Sequence, residues 1–264
     1  MSIPIIRASY KYRGFTLVEL SIVIVIIGLI VAGVVGGQTL VKQAQLRSVI
    51  SEYNKYDIAA NAFKLEYASL PGDMPNAYSY WAGNCAGSAA TCNGNGNGRV
   101  LYNEAGIAQS QENFMAWRHL NLAELIPGSF TGDNDSSGIH DMTPAINVPG
   151  SDFNGGGWYY GSNSYWQSNI DSIIGIKNWL VIGSESNTSH TFNALFTPSQ
   201  AKSIDDKVDD GIPFVGKVKG IVGFNTALLT NCTAGAGTSA TYILTETVPR
   251  CQILFNLSAT GKSF

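Results

Sequence analysis

Residues 13–30 read RGFTLVELSIVIVIIGLI. Apart from Glu19, residues 15–37 carry no charge, and a helix of about 20 apolar residues is enough to cross a bilayer. Residues 1–14 hold Arg7, Lys11 and Arg13 and no acid. Basic residues before a span keep the N-terminus in the cytoplasm and send the C-terminal mass outward. Glu19 is the misfit, because an acid costs about 2.5–3.5 kcal/mol at a span's centre and less near its end. No Lys or Arg lies within the span to pair with it. A secretory signal cut near the small residues Ala32 and Gly33, or a plain signal anchor, accounts for the span but not for the acid.

The run Gly14-Phe15-Thr16-Leu17-Val18-Glu19, followed by a long apolar stretch, resembles the class III leader of type IV pilins and type II secretion pseudopilins. The resemblance implies that a membrane peptidase cleaves after Gly14 on the cytoplasmic side and methylates the new N-terminal Phe15. It also implies a partner for Glu19. The amine created at Phe15 stays cationic after methylation, and the carboxylate of a stacked neighbour satisfies it. One departure from the family pattern stands further along, where Gly36 replaces the Pro of many members, with Gly37 after it and Gly33 a turn earlier. Glycine also weakens a helix, by about 1 kcal/mol each relative to Ala. The alternative use of the same run is close helix packing through Gly33 and Gly36 or Gly37.

Past the span, Leu46, Val49, Tyr53, Tyr56, Ala60, Phe63 and Tyr67 recur at alternating spacings of three and four, an amphipathic helix stripe that meets no Pro until Pro71. One helix over 15–69 is therefore expected, roughly 80 Å long at 1.5 Å per residue. Its first half is apolar all round and its second half has one face to bury. The expected class is α+β: this helix packed on an antiparallel β-sheet head with loop insertions, which is also the pilin fold that the resemblance implies. The division is a leader at 1–14, a membrane and filament-core half at 15–37, an amphipathic half at 38–70 and a globular head at 71–264.

Within the head, 69–77 is a turn-rich break and the segment through residue 98 reads as loop. A short helix is expected at about 109–126, then a long Gly/Asn/Ser-rich region over 128–169. Strands are expected at 179–184, 216–225, 240–247 and 252–257. Thr197-Pro198-Ser199-Gln200 reads as a capping box that starts a helix ending at Gly211, with Ala201, Ile204 and Val208 buried.

Charged residues make up only 13 % of the chain and the net charge is −3, so no global basic field holds nucleic acid. Four cysteines allow three pairings. In an oxidising compartment the sequence-local pairs Cys85 with Cys92 and Cys232 with Cys251 are the expected disulfides, and four buried free thiols are the alternative. The second pair resembles the disulfide that closes the variable region of many pilins.

Asn93, Asn95, Asn97, Gly98, Arg99 and Glu104 fall at calcium-loop spacing: oxygen side chains at the first, third and fifth places, a glycine, a backbone carbonyl and a bidentate acid at the twelfth. Three Asn in place of Asp limit the expectation to weak Ca2+ binding, against a plain Asn/Gly turn. The stretch from Asp133 to Gly138 has the same front half but Pro144 where the acid belongs, and reads as a solvated turn. Asp205, Asp206, Asp209 and Asp210 near a helix C-terminus read as a solvated face, and a cation or a basic neighbour subunit is the sharper alternative. The stretch 155–168, with Trp158, Tyr159, Tyr160, Tyr165 and Trp166, is either a glycan- or partner-binding surface or packing of the insertions onto the head.

His119, His140 and His190 belong to no catalytic motif, and G-x-S-x-G, H-E-x-x-H and Walker loops do not occur. The expected role is a structural subunit of a type IV pilus-like filament, with no enzymatic activity. It is stored in the bacterial inner membrane, head outward, and polymerises in the periplasm or on the cell surface. A type II secretion pseudopilin or a minor tip adhesin is the alternative. The expected partners are further copies of the chain, prepilin peptidase, the inner-membrane assembly machinery and a surface or secreted ligand.

Overall fold

The long apolar stretch and the stripe after it form one helix, α1 (Leu17–Tyr67), in the computed structural model. The structure describes residues 14–85, 88–101, 112–133, 142–162, 177–185, 193–223 and 231–257. The chain divides into two compact units, Met1–Ala44 and Gln45–Phe264, and α1 contributes to both. In the first unit its apolar side chains are exposed, and the helix is long and apolar enough to cross a membrane by length and composition. It runs unbroken through Gly33, Gly36 and Gly37. In the second unit Leu46, Val49, Tyr53, Tyr56, Ala60 and Phe63 are buried, as the three-four spacing requires, and Tyr67 is partly so. The helix stops where Ala68 adopts φ 53°, and Pro71 bars its return.

The head contains α2 (Ala77–Trp81), α3 (Ala89–Cys92), α4 (Glu112–Leu122), β1 (Gly156–Ser162), β2 (Asn178–Ser184), α5 (Pro198–Val208), β3 (Val218–Val222), β4 (Thr233–Ala234), β5 (Thr241–Tyr242) and β6 (Cys251–Asn256). Four strands form an antiparallel sheet in the order β1-β2-β6-β3, and β4 pairs with β5 separately. This is the α+β arrangement expected: a long helix and an antiparallel sheet.

Residues paired across the sheet share a face. Trp158, Ile182, Ile253 and Gly220 therefore form one row, and Tyr160, Leu180, Phe255 and Val218 the next. Tyr53 of α1 stacks on Phe255 with ring centroids 4.5 Å apart, and Tyr56 meets Trp158 edge-on at 5.5 Å. Trp117 of α4 packs edge-on against both Tyr56, at 5.1 Å, and Tyr160, at 6.1 Å. Glu52 adds a polar tie, accepting the Trp158 indole N–H at 2.6 Å and the Asp152 amide at 3.1 Å.

Several elements differ from the expectation. No strand is expected in the Gly/Asn/Ser-rich region 128–169, yet β1 lies in it. Its glycines and its burial on both faces erase the alternation that marks a half-exposed strand. Trp158, Tyr159 and Tyr160 are accordingly core residues rather than a binding surface, while Tyr165 and Trp166 lie outside the described residues. The segment 77–92 holds two short helices, α2 and α3. The strand over 240–247 shrinks to Thr241–Tyr242 and that over 216–225 to Val218–Val222. α4 covers 112–122, and the chain turns at Glu124 with φ 58°. α5 begins as expected, with both bonds of the Thr197–Gln200 capping box present and Pro198 in its first turn.

Candidate functional site

Three groups of residues draw attention: the head of α1, the loop 93–101 and the acids after α5. At the first, Thr16 and Glu19 close a capping box of their own. The Thr16 hydroxyl accepts the Glu19 amide at 3.2 Å. The Glu19 carboxylate accepts the Thr16 amide at 2.8 Å and the Thr16 hydroxyl at 2.9 Å. A carboxylate there also opposes the positive end of the helix dipole. Glu19 thus has hydrogen-bond partners inside its own chain, a feature the sequence reading passed over although Thr-x-x-Glu before an apolar run is its signature. Gly14 and Phe15 precede the helix, and Phe15 is 83 % exposed.

In the head, 93–101 is threaded between two acids that are both 2 % exposed, Asp73 and Glu112. Asp73 accepts the amides of Asn97 at 3.0 Å and Gly98 at 2.8 Å on its two carboxylate oxygens. Glu112 accepts those of Asn95 at 3.0 Å and Leu101 at 2.9 Å. Asn178 takes the Val100 amide and returns its own N–H to the Gly98 carbonyl. The close approach depends on glycine: a Cβ on Gly94 would strike the backbone of Gly72 and Asp73, and one on Gly72, at φ +85°, would strike the Glu112 carbonyl.

The residues of the calcium pattern are busy in this fold. Asn93 Oδ1 accepts the Tyr78 amide, Asn95 Oδ1 that of Asn97, and Asn97 Oδ1 that of Arg99. The last two are Asx turns, which shape the loop without any ion. What these residues offer a cation is a set of neutral oxygens already in hydrogen bonds, and Glu104, the acid of the pattern, lies outside the described residues. So does most of the second stretch, 134–141.

Beside this loop Cys85 is bonded to Cys92, and Cys232 is bonded to Cys251, the first residue of β6. His119, fully buried on α4, lies against the first disulfide. Its Nδ1 accepts the Gly72 amide at 3.0 Å, so its proton sits on Nε2 and is donated to the Cys92 carbonyl, also at 3.0 Å. Burial lowers its pKa to about 4, against the opposing pull of the Cys92 carbonyl. The ring is a neutral tie between three segments, and with both sulfurs in a disulfide the trio is not a metal site. His140 and His190 lie outside the described residues.

The acids after α5 are not all a solvated face. Asp205 is fully buried, accepting the Tyr242 hydroxyl at 2.8 Å and the Gly211 amide at 3.2 Å. Burial raises its pKa to about 6, those two hydrogen bonds pull it down, and the charges of Asp210 and Asp209 push it further up. Asp209 accepts the amides of Lys217 and Val218, Asp210 that of Ile212, and Asp206 pairs with Lys202. Their positions serve the turn into β3 and the docking of Tyr242 on Gly220, whose missing Cβ leaves room for the tyrosine ring.

Only the first group carries a processing or assembly signal that a comparison with known proteins meets. No curated protein and no solved structure matches the chain. Residues 9–35 match a family model described as the prokaryotic N-terminal methylation motif. The match covers Gly14, Phe15 and the Thr16–Glu19 box, and supports the class III leader of type IV pilins and pseudopilins expected from the sequence.

Proposed function

We propose that the protein is a structural subunit of a type IV pilus-like helical filament. In this reading prepilin peptidase cleaves it after Gly14 and methylates Phe15. The subunit waits in the inner membrane on the apolar half of α1, with its head outside, and joins its copies through the inner-membrane assembly machinery. The observation that carries the proposal is the juxtaposition, within the matched residues 9–35, of an acid at the head of a helix whose apolar side chains are exposed. Exposed apolar surface on that scale needs lipid or sibling helices around it. The Thr16–Glu19 box keeps the carboxylate at the first turn, where the cationic amine of a neighbour's Phe15 completes its coordination in the stack.

The test is expression of the full chain with and without a prepilin peptidase, followed by mass spectrometry of the N-terminus and electron microscopy of sheared material. The expected products are N-methylated Phe15 at the terminus and filaments built of the chain. A terminus that stays at Met1 in the presence of the peptidase overturns the processing step. Cleaved chain that never leaves the envelope in filaments points instead to the pseudopilin role.

A further inference from the structure

The face of α4 that packs on β1 carries polar groups with no hydrogen-bond partner among the described residues. Asn113 and Trp117 are one helical turn apart and share that face. Tyr160 and Ser162 alternate onto one face of β1, and Trp117 meets Tyr160 edge-on. Asn113, Trp117 and Tyr160 are each 0 % exposed. The Asn113 amide on both its atoms, the Trp117 indole N–H, the Tyr160 hydroxyl and the Ser162 hydroxyl have no hydrogen-bond partner among the described residues. Turning the Asn113 amide over changes nothing, since its nitrogen and its oxygen are equally unpaired.

A buried donor or acceptor left unmade carries its full desolvation penalty, so a cluster of them is a strong demand for a guest. The guest must accept from the Trp117 N–H, which only donates, and donate to the Asn113 oxygen or the Tyr160 hydroxyl. A cation meets the indole and amide N–H groups with the wrong sign. An anion is opposed first by burial, which most strongly disfavours the phenolate of Tyr160, and then by the charges of Asp73 and Asp57. A neutral molecule that both donates and accepts, and is small enough for a close-packed layer, is water.

We propose that the α4–β1 layer binds internal water, held by Asn113, Trp117 and Tyr160 and bordered by Ser162, as a fixed part of the head. Water bonded to the indole there stays for far longer than surface water, because it leaves only when α4 and β1 separate.

The test uses the full chain in detergent with 15N at the tryptophan indoles, the Trp117 signal being assigned by its loss in Trp117→Phe. The expected result is a cross-peak between the Trp117 indole proton and water, with the sign of a long-lived dipolar contact. The Trp158 indole, bonded to Glu52, is the internal reference and shows none. Asn113→Leu, which fills the layer with an apolar side chain, is expected to abolish the peak at Trp117. Absence of the peak in the wild-type chain overturns the proposal, as does a peak whose sign marks proton exchange. If Asn113→Leu fails to fold, the wild-type spectrum decides alone.

Discussion

Glu19 accepts both the backbone amide and the hydroxyl of Thr16 on one carboxylate oxygen, and its own amide returns to that hydroxyl. An acid at the first turn of an apolar helix is thereby given a local address before any second subunit arrives. The arrangement separates two roles that a bare reading of the sequence merges: Thr16 positions the carboxylate, and in the proposed filament the carboxylate meets a neighbouring subunit. Removal of one or the other therefore has different consequences.

Glu19→Ala is expected to insert and to be cleaved after Gly14 while losing most of its filament yield, because the amine of Phe15 then has no carboxylate to meet. Thr16→Ala keeps the charge and loses only its placement, so its filament yield should fall between those of Glu19→Ala and the wild type. Quantitative blotting of sheared filaments against total cleaved chain reads both. Equal yields from Glu19→Ala and wild type remove Glu19 from assembly.

His119 and Asp205 set opposing pH dependences. The folded His119 titrates near 4 instead of 6.5. Its contribution is complete above pH 6.5 and is lost as pH falls toward 4, an effect of up to about 3 kcal/mol. Asp205 titrates near 6 instead of 3.8, so its contribution is present below pH 3.8 and is lost as pH rises through 6. The two slopes partly cancel between pH 4 and 6. Asp205→Asn should therefore lose stability more steeply than the wild type on going from pH 6.5 to 4.5, and His119→Gln should lose less. Denaturant unfolding at the two pH values, followed by tryptophan fluorescence, gives the slopes. Parallel curves for all three chains contradict the assignment.

Gly72→Ala is expected to lower stability by at least about 1–3 kcal/mol, the cost of a left-handed conformation for a residue with a Cβ. The added methyl also strikes the Glu112 carbonyl. Gly98, at φ +84° but with open space around the Cβ position, carries the conformational cost alone. Thermal melting should rank Gly72→Ala below Gly98→Ala, and an equal loss would deny the close contact between the Gly72 turn and α4.

We propose that any calcium binding by the loop depends on Glu104, since the asparagines bring no charge. With that acid in place, millimolar calcium, the weak range open to such a loop, should raise the melting temperature of the full chain, and Glu104→Gln should abolish the rise. Melting that is indifferent to calcium leaves 93–101 as a loop held by Asp73, Glu112 and Asn178 without an ion.

The parts legible from the residues in order are those whose physics is local. A continuous apolar run, a three-four stripe and a Thr-Pro-Ser-Gln start act over a few turns of helix, and α1 and α5 lie where these signals put them. The sequence by itself also determined the methylation-motif segment, because Gly14, Phe15 and Glu19 are neighbours along the chain. Only the tertiary structure decided the rest. β1 is concealed by glycines and by burial on both faces. Asp73 and Glu112 look like surface acids until a loop some twenty residues from either closes its amides on them. Asp205 lies in what reads as a solvated acidic run, and it is buried because Tyr242, 37 positions away, brings it a hydroxyl. A buried polar group is stable only with its partner, and when that partner is far along the chain no window of sequence contains both.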